Sequence, residues 1–251
     1  MALKWSARRQ LLYYGVAFVV LAIVLIAVWE TFFTHTPNCF DGVMNGTELG
    51  VDCGGACALV CPDDVKPAQV LWARSFSLAS SSTYTAAAYI ENNNTGAGAK
   101  AVHYAFQLFD ENNILVVERD GVMDLPPVRT IPIIETGIQA GSRGVARTTF
   151  SFSETPSWST VTEELPSIRL LQENLSADGS RLSVQVENDS AIDASQVVVE
   201  AVLFDAQGVA RGASKTLLAS VPHKSSKSVV FTWPGGIPGI VRAELTVLPS
   251  F

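Results

Sequence analysis

All four cysteines of the chain, Cys39, Cys53, Cys57 and Cys61, fall in one stretch, CFDGVMNGTELGVDCGGACALVC. Thiols so close together could hold a metal, exchange electrons, or form two crosslinks. Zinc ribbons pair separate C-x2-C knuckles, and ferredoxin-type sites space their ligands C-x2-C-x2-C. The last three cysteines here run C-x3-C-x3-C, which suits neither, and no C-x2-C redox pair is present. Asp41, Asn45, Glu48 and Asp52 add a second possibility, because oxygen ligands in a glycine-rich loop are what a calcium ion takes. Their spacing is not that of an EF-hand. Asp and Asn beside Gly, as in Asp41-Gly42 and Asn45-Gly46, are also ordinary turn formers. Whether the cysteines oxidise depends on their compartment, and the chain ahead of them bears on that.

Residues 11–29, LLYYGVAFVVLAIVLIAVW, contain no charge and have no polar face. As a helix rising about 1.5 Å per residue they cover roughly 28 Å, the thickness of a bilayer's hydrocarbon core. Lys4, Arg8 and Arg9 precede the run, whereas Glu30, Asp41 and Glu48 follow it and the next basic residue is Lys66. That asymmetry predicts a cytoplasmic N-terminus and an extracytoplasmic remainder. The run ends in AVWETFFTHTP, bulky and aromatic where a signal peptidase needs small residues, so an uncleaved anchor is expected. Trp5, Tyr13, Tyr14, Trp29, Phe32 and Phe33 would mark the two interfaces. On the far side thiols oxidise, and two disulfides are the expectation, with three possible pairings. So few apolar side chains occur between the cysteines that crosslinks would have to replace a core.

The full chain has 17 basic and 24 acidic residues; without the three basic ones ahead of the span, 14 stand against 24, a formal −10. An acidic surface repels phosphate backbones, so no nucleic-acid partner is expected.

After the linker PDDVKPAQ the chain repeats. Glu91-Asn92 corresponds to Glu187-Asn188 at an offset of 96, and Leu108-Phe109-Asp110 to Leu203-Phe204-Asp205 at 95. TTFSF (148–152) matches VVFTW (229–233) at 81, and LPS at Leu165 matches LPS at Leu248 at 83. The shortened offset predicts about 14 extra residues in the first copy, around DGVMDLPPVRTIPIIETG. A period near 90 suits an immunoglobulin-type domain rather than a solenoid unit. Val102, Tyr104, Phe106 and Leu108 alternate with polar or small residues, as do Val197, Val199, Ala201 and Leu203, so each set lines one face of a strand. Further strands are expected at 70–78, 84–91, 114–119, 130–138 and 145–152. In the second copy they fall at 168–172, 182–187, 214–219, 228–233 and 239–247. No amphipathic helix is expected outside the membrane. The fold class is therefore all-β, two Ig-like sandwiches in tandem on one N-terminal transmembrane helix. The expected divisions are 1–10 cytoplasmic, 11–33 transmembrane, 34–66 cysteine-rich segment and linker, and sandwiches at 67–166 and 167–251.

Two resemblances add to this. The cysteine stretch resembles a bacterial surface-protein module, C-x-D-G-x-x-N-G-x-E-x-G-x-D-C-G-G-x-C-x-x-C. It matches at Cys39, Asp41, Gly42, Asn45, Gly46, Glu48, Gly50, Asp52, Cys53, Gly54, Gly55 and Cys57, with three residues rather than two before Cys61. Phe106-Gln107-Leu108-Phe109-Asp110, with the lead-in ENNNTGAGAKAV, resembles the F-x-L-[YF]-D signature of FxLYD domains, Ig-like modules of exported microbial proteins. The second copy keeps Leu203-Phe204-Asp205 but has Ala201 in place of Phe. The resemblances imply a bacterial, exported, Ig-like protein and no shared catalytic activity.

No G-x-S-x-G, phosphate-cradling loop or H-E-x-x-H occurs, and His35, His103 and His223 are not at ligand spacing from other donors. No enzyme and no cofactor other than calcium is expected. The chain reads as a membrane-anchored binding or structural protein with a protein or envelope-polymer partner. A calcium- or redox-dependent surface module at 39–61 and a subunit of an envelope or pilus-type assembly are the alternatives. Residues 120–137, whose prolines would mark an edge or protruding loop, are the best candidate for a specialised contact.

Overall fold

The computed structural model describes residues 5–33, 37–78, 82–162 and 166–248. Lys4, His35, Leu165 and the side chains of Trp5, Phe32 and Phe33 lie outside the described residues. The chain divides into two compact units, residues 1–57 and 58–251.

In the first unit, α1 runs over Trp5–Phe33. Within it Arg8–Glu30, of mean hydropathy 2.8, is long and apolar enough to cross a bilayer, and none of it is buried by protein. A helix apolar on every side has no face to turn toward water, and its backbone bonds are satisfied internally, as lipid requires. Tyr13, Tyr14 and Trp29 are exposed near its ends.

The second unit holds two Ig-like sandwiches. The first consists of β1 (Gln69–Ser77), β2 (Thr83–Asn92), β3 (Ala97–Phe109), β4 (Leu115–Leu125), β5 (Arg129–Gln139), β6 (Arg147–Phe152) and the short β7 (Trp158–Thr160). The second consists of β8 (Ile168–Leu175), β9 (Arg181–Asn188), β10 (Ala194–Asp205), β11 (Ala210–Val221), β12 (Ser225–Thr232) and β13 (Ile240–Leu248). One sheet of the first is ordered β1-β2-β5 and the other β4-β3-β6, with β7 paired to the start of β3. The second repeats this plan as β8-β9-β12 and β11-β10-β13. All pairings are antiparallel.

The repeated residues have matching structural duties. Asn92 donates its side-chain amide to the carbonyls of Ala97 and Pro126, and Asn188 does the same to Ile192 and Val221. Each thereby ties the turn after its own strand to the end of the strand two further on. Asp110 accepts hydrogen bonds from the backbone N–H groups of Asn112 and Ile114, and Asp205 from those of Gln207 and Val209. Both carboxylates thus close a tight turn. Arg147 lies over the Phe109 ring and Arg242 over the Phe204 ring, each at 4.2 Å.

This last pair corrects the sequence alignment. Arg147 and Arg242 are 95 apart and hold equivalent places in β6 and β13, so the offset does not shrink and the first copy has no 14-residue insertion near 120–137. TTFSF belongs to β6, whereas VVFTW begins in β12, the counterpart of β5. The two look alike because each sends alternate rings, Phe150 and Phe152 or Phe231 and Trp233, toward a core. Any strand facing a core can acquire that pattern. Nor does LPPVRTIP protrude as a loop. Pro132 pairs with Tyr89 inside β5, an edge strand, the other outcome the prolines allowed and the place in a sheet where proline is tolerated.

The first core packs Phe106, Leu108 and Ile90 with Tyr104 and Phe150, whose rings stack at 5.2 Å. In the second core, Ala201 occupies the position of Phe106, and the large rings come from Phe231 and Trp233.

A third cluster joins the sandwiches. Ala87 of β2 and Ile134 of β5 pack with Val202 and Phe204 of β10 and Ala210 and Ala213 of β11, flanked by Trp72, Phe76 and Tyr89. Tyr89 stacks on Trp72 at 4.7 Å and meets Phe204 edge-on at 6.4 Å. Strands β2 and β10 are thus covered on both faces, which explains their nearly unbroken apolar runs, TAAAYI and VVVEAVLF.

Candidate functional site

Two places concentrate polar chemistry. The first is the cysteine segment. Cys39 and Cys57 are joined by a disulfide, with Cα atoms 5.6 Å apart. Cys53 and Cys61 are also disulfide-bonded, and no cysteine is free. Cys53 and Cys57 are buried while Phe40, Val43, Met44, Leu49 and Val51 stay exposed, so crosslinks stand where a core would be. The loop reverses through left-handed glycines. At Gly55 (φ +60°) a Cβ would fall 1.8 Å from the Thr47 carbonyl oxygen, so only glycine fits.

Asp41, Glu48 and Asp52 accept hydrogen bonds within this loop, whereas Asn45 only donates and its buried Oδ1 has no partner among the described residues. Asp52 accepts from the backbone N–H groups of Asp41 and Gly42 at 2.9–3.2 Å. Asp41 accepts from the Val43 N–H at 2.9 Å and the Asn45 side-chain amide at 2.8 Å. Glu48 accepts from the Asn45 N–H at 3.1 Å. Among the described residues, one group of metal-type donors lies within 4.8 Å of one another: Cys39, Glu48 and Cys57. Two of its three atoms are disulfide sulfurs, which lack the thiolate charge a metal needs, so the set does not fit a metal.

The second place lies between the sandwiches and contains residues that sequence reasoning did not single out as a site. A cavity of about 620 Å³ opens between them. Strand β4 contributes Val122, Met123 and Asp124 to its wall, and β5 contributes Ile133, Ile134 and Thr136. Across from them stand Val198 and Glu200 of β10, Lys215 and Leu217 of β11, and Leu248 of β13. Six residues of the 120–137 stretch, expected as a specialised contact, therefore lie in this wall.

Beside the cavity, Glu135 is saturated. Tyr104 donates its hydroxyl to Oε1 at 2.9 Å, Lys215 its ammonium to Oε1 at 2.8 Å, and Arg119 its Nε–H to Oε2 at 3.1 Å. Gly121 stands directly opposite Tyr104, and a Cβ there would come within 2.3 Å of the phenol. Burial alone would raise the Glu135 carboxyl. The hydrogen bond and charge of Lys215, with Tyr104 and Arg119, outweigh it and hold the group below the usual carboxylate range. Burial, with the charge of Glu135 and its hydrogen bond, pushes the Tyr104 phenol up.

Glu200 is the opposite case. It is 3% exposed, and its Oε2 has no hydrogen-bond partner. Burial drives its carboxyl up to about 8, and the charge of Lys215 and a bond from the Ile134 backbone only partly offset this. At neutral pH Glu200 is therefore mostly the uncharged acid. The signal that could have found it was there: one carboxylate inside the apolar run VVVEAVLF. His103 lies in β3 and His223 in the turn after β11, where its Nδ1 is 2.7 Å from Asp193. The arrangement is that of Ig-like structural and binding domains.

No protein-family model matches the chain, and no curated protein matches it. Among solved structures, red sea bream transglutaminase aligns at 8% sequence identity over 73% of this chain and 29% of its own, with a TM-score of 0.25. The chain thus spans less than a third of that structure, and a likeness this loose carries no argument. The Ig-like assignment stands on the strand pairing alone.

Proposed function

We propose that the chain is a membrane-anchored, extracytoplasmic binding or structural protein of a bacterial cell surface. Its N-terminus lies in the cytoplasm and its sandwiches lie outside. In this reading residues 34–66 form a stapled spacer between the span and two modules at 67–166 and 167–251. The observation that carries it is that every cysteine beyond the span is oxidised, a state sustained outside the cytoplasm rather than within it. The positive residues Arg8 and Arg9 ahead of the span and the acidic residues beyond it support the same orientation. The resemblances to the surface cysteine module and to FxLYD domains support the bacterial, exported setting. Protease added to intact cells carrying a C-terminal tag tests it: the tag should be lost while a cytoplasmic control survives, and a protected tag rejects the orientation.

A further inference from the structure

The cavity between the sandwiches is built, not incidental. About 620 Å³ falls within the roughly 300–1,000 Å³ of small-molecule sites. Its walls are mostly hydrocarbon, with Met123, Ile133, Val198 and Leu248 inside and the more than half-exposed Val122 and Leu217 along its lining. Among the buried polar side-chain atoms of its described lining, Glu200 Oε2 has no hydrogen-bond partner.

The charges select the ligand. Lys215 faces Glu200 across the β10–β11 pair but gives its ammonium to Glu135. Arg119 is given to Glu135 as well, and Asp124 accepts the Ala101 N–H at 2.8 Å. An anion entering here would meet Asp124 and would have to take Lys215 from Glu135. A cation would meet the buried Glu200 carboxyl group, which lines the cavity with one oxygen lacking a hydrogen-bond partner and which releases its proton to solvent as the cation pairs with it. We propose that this cavity binds a small organic monocation, an amine or amidine head on an apolar body, with the head paired to Glu200 and the body against Met123, Ile133, Val198 and Leu217. The site is independent of the membrane orientation proposed above.

Benzamidine tests this on the full-length protein in a non-ionic detergent, with neutral benzamide and anionic benzoate as matched controls, by titration calorimetry and thermal unfolding. Benzamidine should bind saturably at one site per chain and raise the melting temperature. Benzamide and benzoate should bind at least about tenfold more weakly. Glu200→Gln should weaken benzamidine by about tenfold or more. Should that variant not fold, Leu217→Trp, at an exposed position on the cavity wall, should block binding while leaving the melting temperature of the free protein nearly unchanged. The proposal is overturned by the absence of saturable benzamidine binding up to about 10 mM, by equal binding of benzamide, or by binding that Leu217→Trp leaves intact.

Discussion

Lys215 stands opposite Glu200 in the β10–β11 ladder, yet its Nζ donates to Glu135 of the other sandwich at 2.8 Å. One lysine thereby leaves two buried carboxyl groups in opposite states: Glu135 is held ionised across the interface, and Glu200 keeps its proton. The pair also ties the two sandwiches together, next to an apolar cluster made from the outer faces of β2, β5, β10 and β11.

Removing one partner should expose that coupling. Lys215→Met should destabilise the protein by about 2–3 kcal/mol, below the roughly 3–5 kcal/mol of a fully buried pair because Lys215 is one-third exposed. Combined with Glu135→Gln, the double variant should lose less than the sum of the singles by about 1 kcal/mol or more. Urea unfolding of the four proteins measures this, and strict additivity would show that the pair does not couple the modules.

The two carboxyls predict opposite limbs of a stability–pH curve. Glu200 has its folded pKa raised from 4.5 to about 8, so the native state binds more protons than the unfolded one between those values. Its contribution therefore falls as pH rises through this window, by up to about 1.4 kcal/mol per pH unit. Glu135 is depressed; its contribution is present above its unfolded value and is lost as pH drops through the folded one. Melting temperatures from about pH 2 to about 9 should show both declines, and Glu200→Gln should flatten the alkaline one alone. An unchanged alkaline limb in that variant would show that another group controls it.

Asn92 and Asn188 should behave as twins. Alanine at Asn92 strands the buried carbonyls of Ala97 and Pro126, and alanine at Asn188 strands that of Val221 while Ile192 keeps the Ser190 hydroxyl, at a cost of about 2 kcal/mol for each variant. Denaturant midpoints check this, and a loss under about 0.5 kcal/mol at one site alone would break the equivalence of the copies.

In the cysteine segment, backbone amides occupy both Asp52 carboxylate oxygens, and the Val43 N–H and the Asn45 amide occupy those of Asp41. The Asn45 N–H takes one oxygen of Glu48, and of the four residues' ligand atoms the buried Asn45 Oδ1 lacks a partner among the described residues. Millimolar calcium or a chelator should therefore leave the melting temperature unchanged. Reduction should instead open the loop between Cys39 and Cys57, a closure worth on the order of 3 kcal/mol. A calcium-dependent melting temperature would instead support an ion site at Asp41, Asn45, Glu48 and Asp52.

Local pattern carried a good part of the architecture. The apolar run from Leu11, the alternation of Val102, Tyr104, Phe106 and Leu108, and the paired Asn92/Asn188 and Asp110/Asp205 are short-range features, and helix and strand geometry translate them directly. Alternation was also where alignment failed. Phe150/Phe152 and Phe231/Trp233 share a period of two because each pair faces a core, although they sit in non-equivalent strands. Periodicity records that a strand is half-buried, not which strand it is.

By itself, then, the sequence determined one apolar helix, a cysteine segment short of core residues, and two copies of an antiparallel β-module, because each depends on residues near one another in the chain. Only the tertiary structure decided that the modules stack face to face, that Lys215 reaches Glu135 eighty positions away, and that Glu200 is buried beside a cavity with an oxygen unmatched. Those outcomes depend on which outer faces meet, and a strand buried on both sides carries no alternation to say what covers its second face.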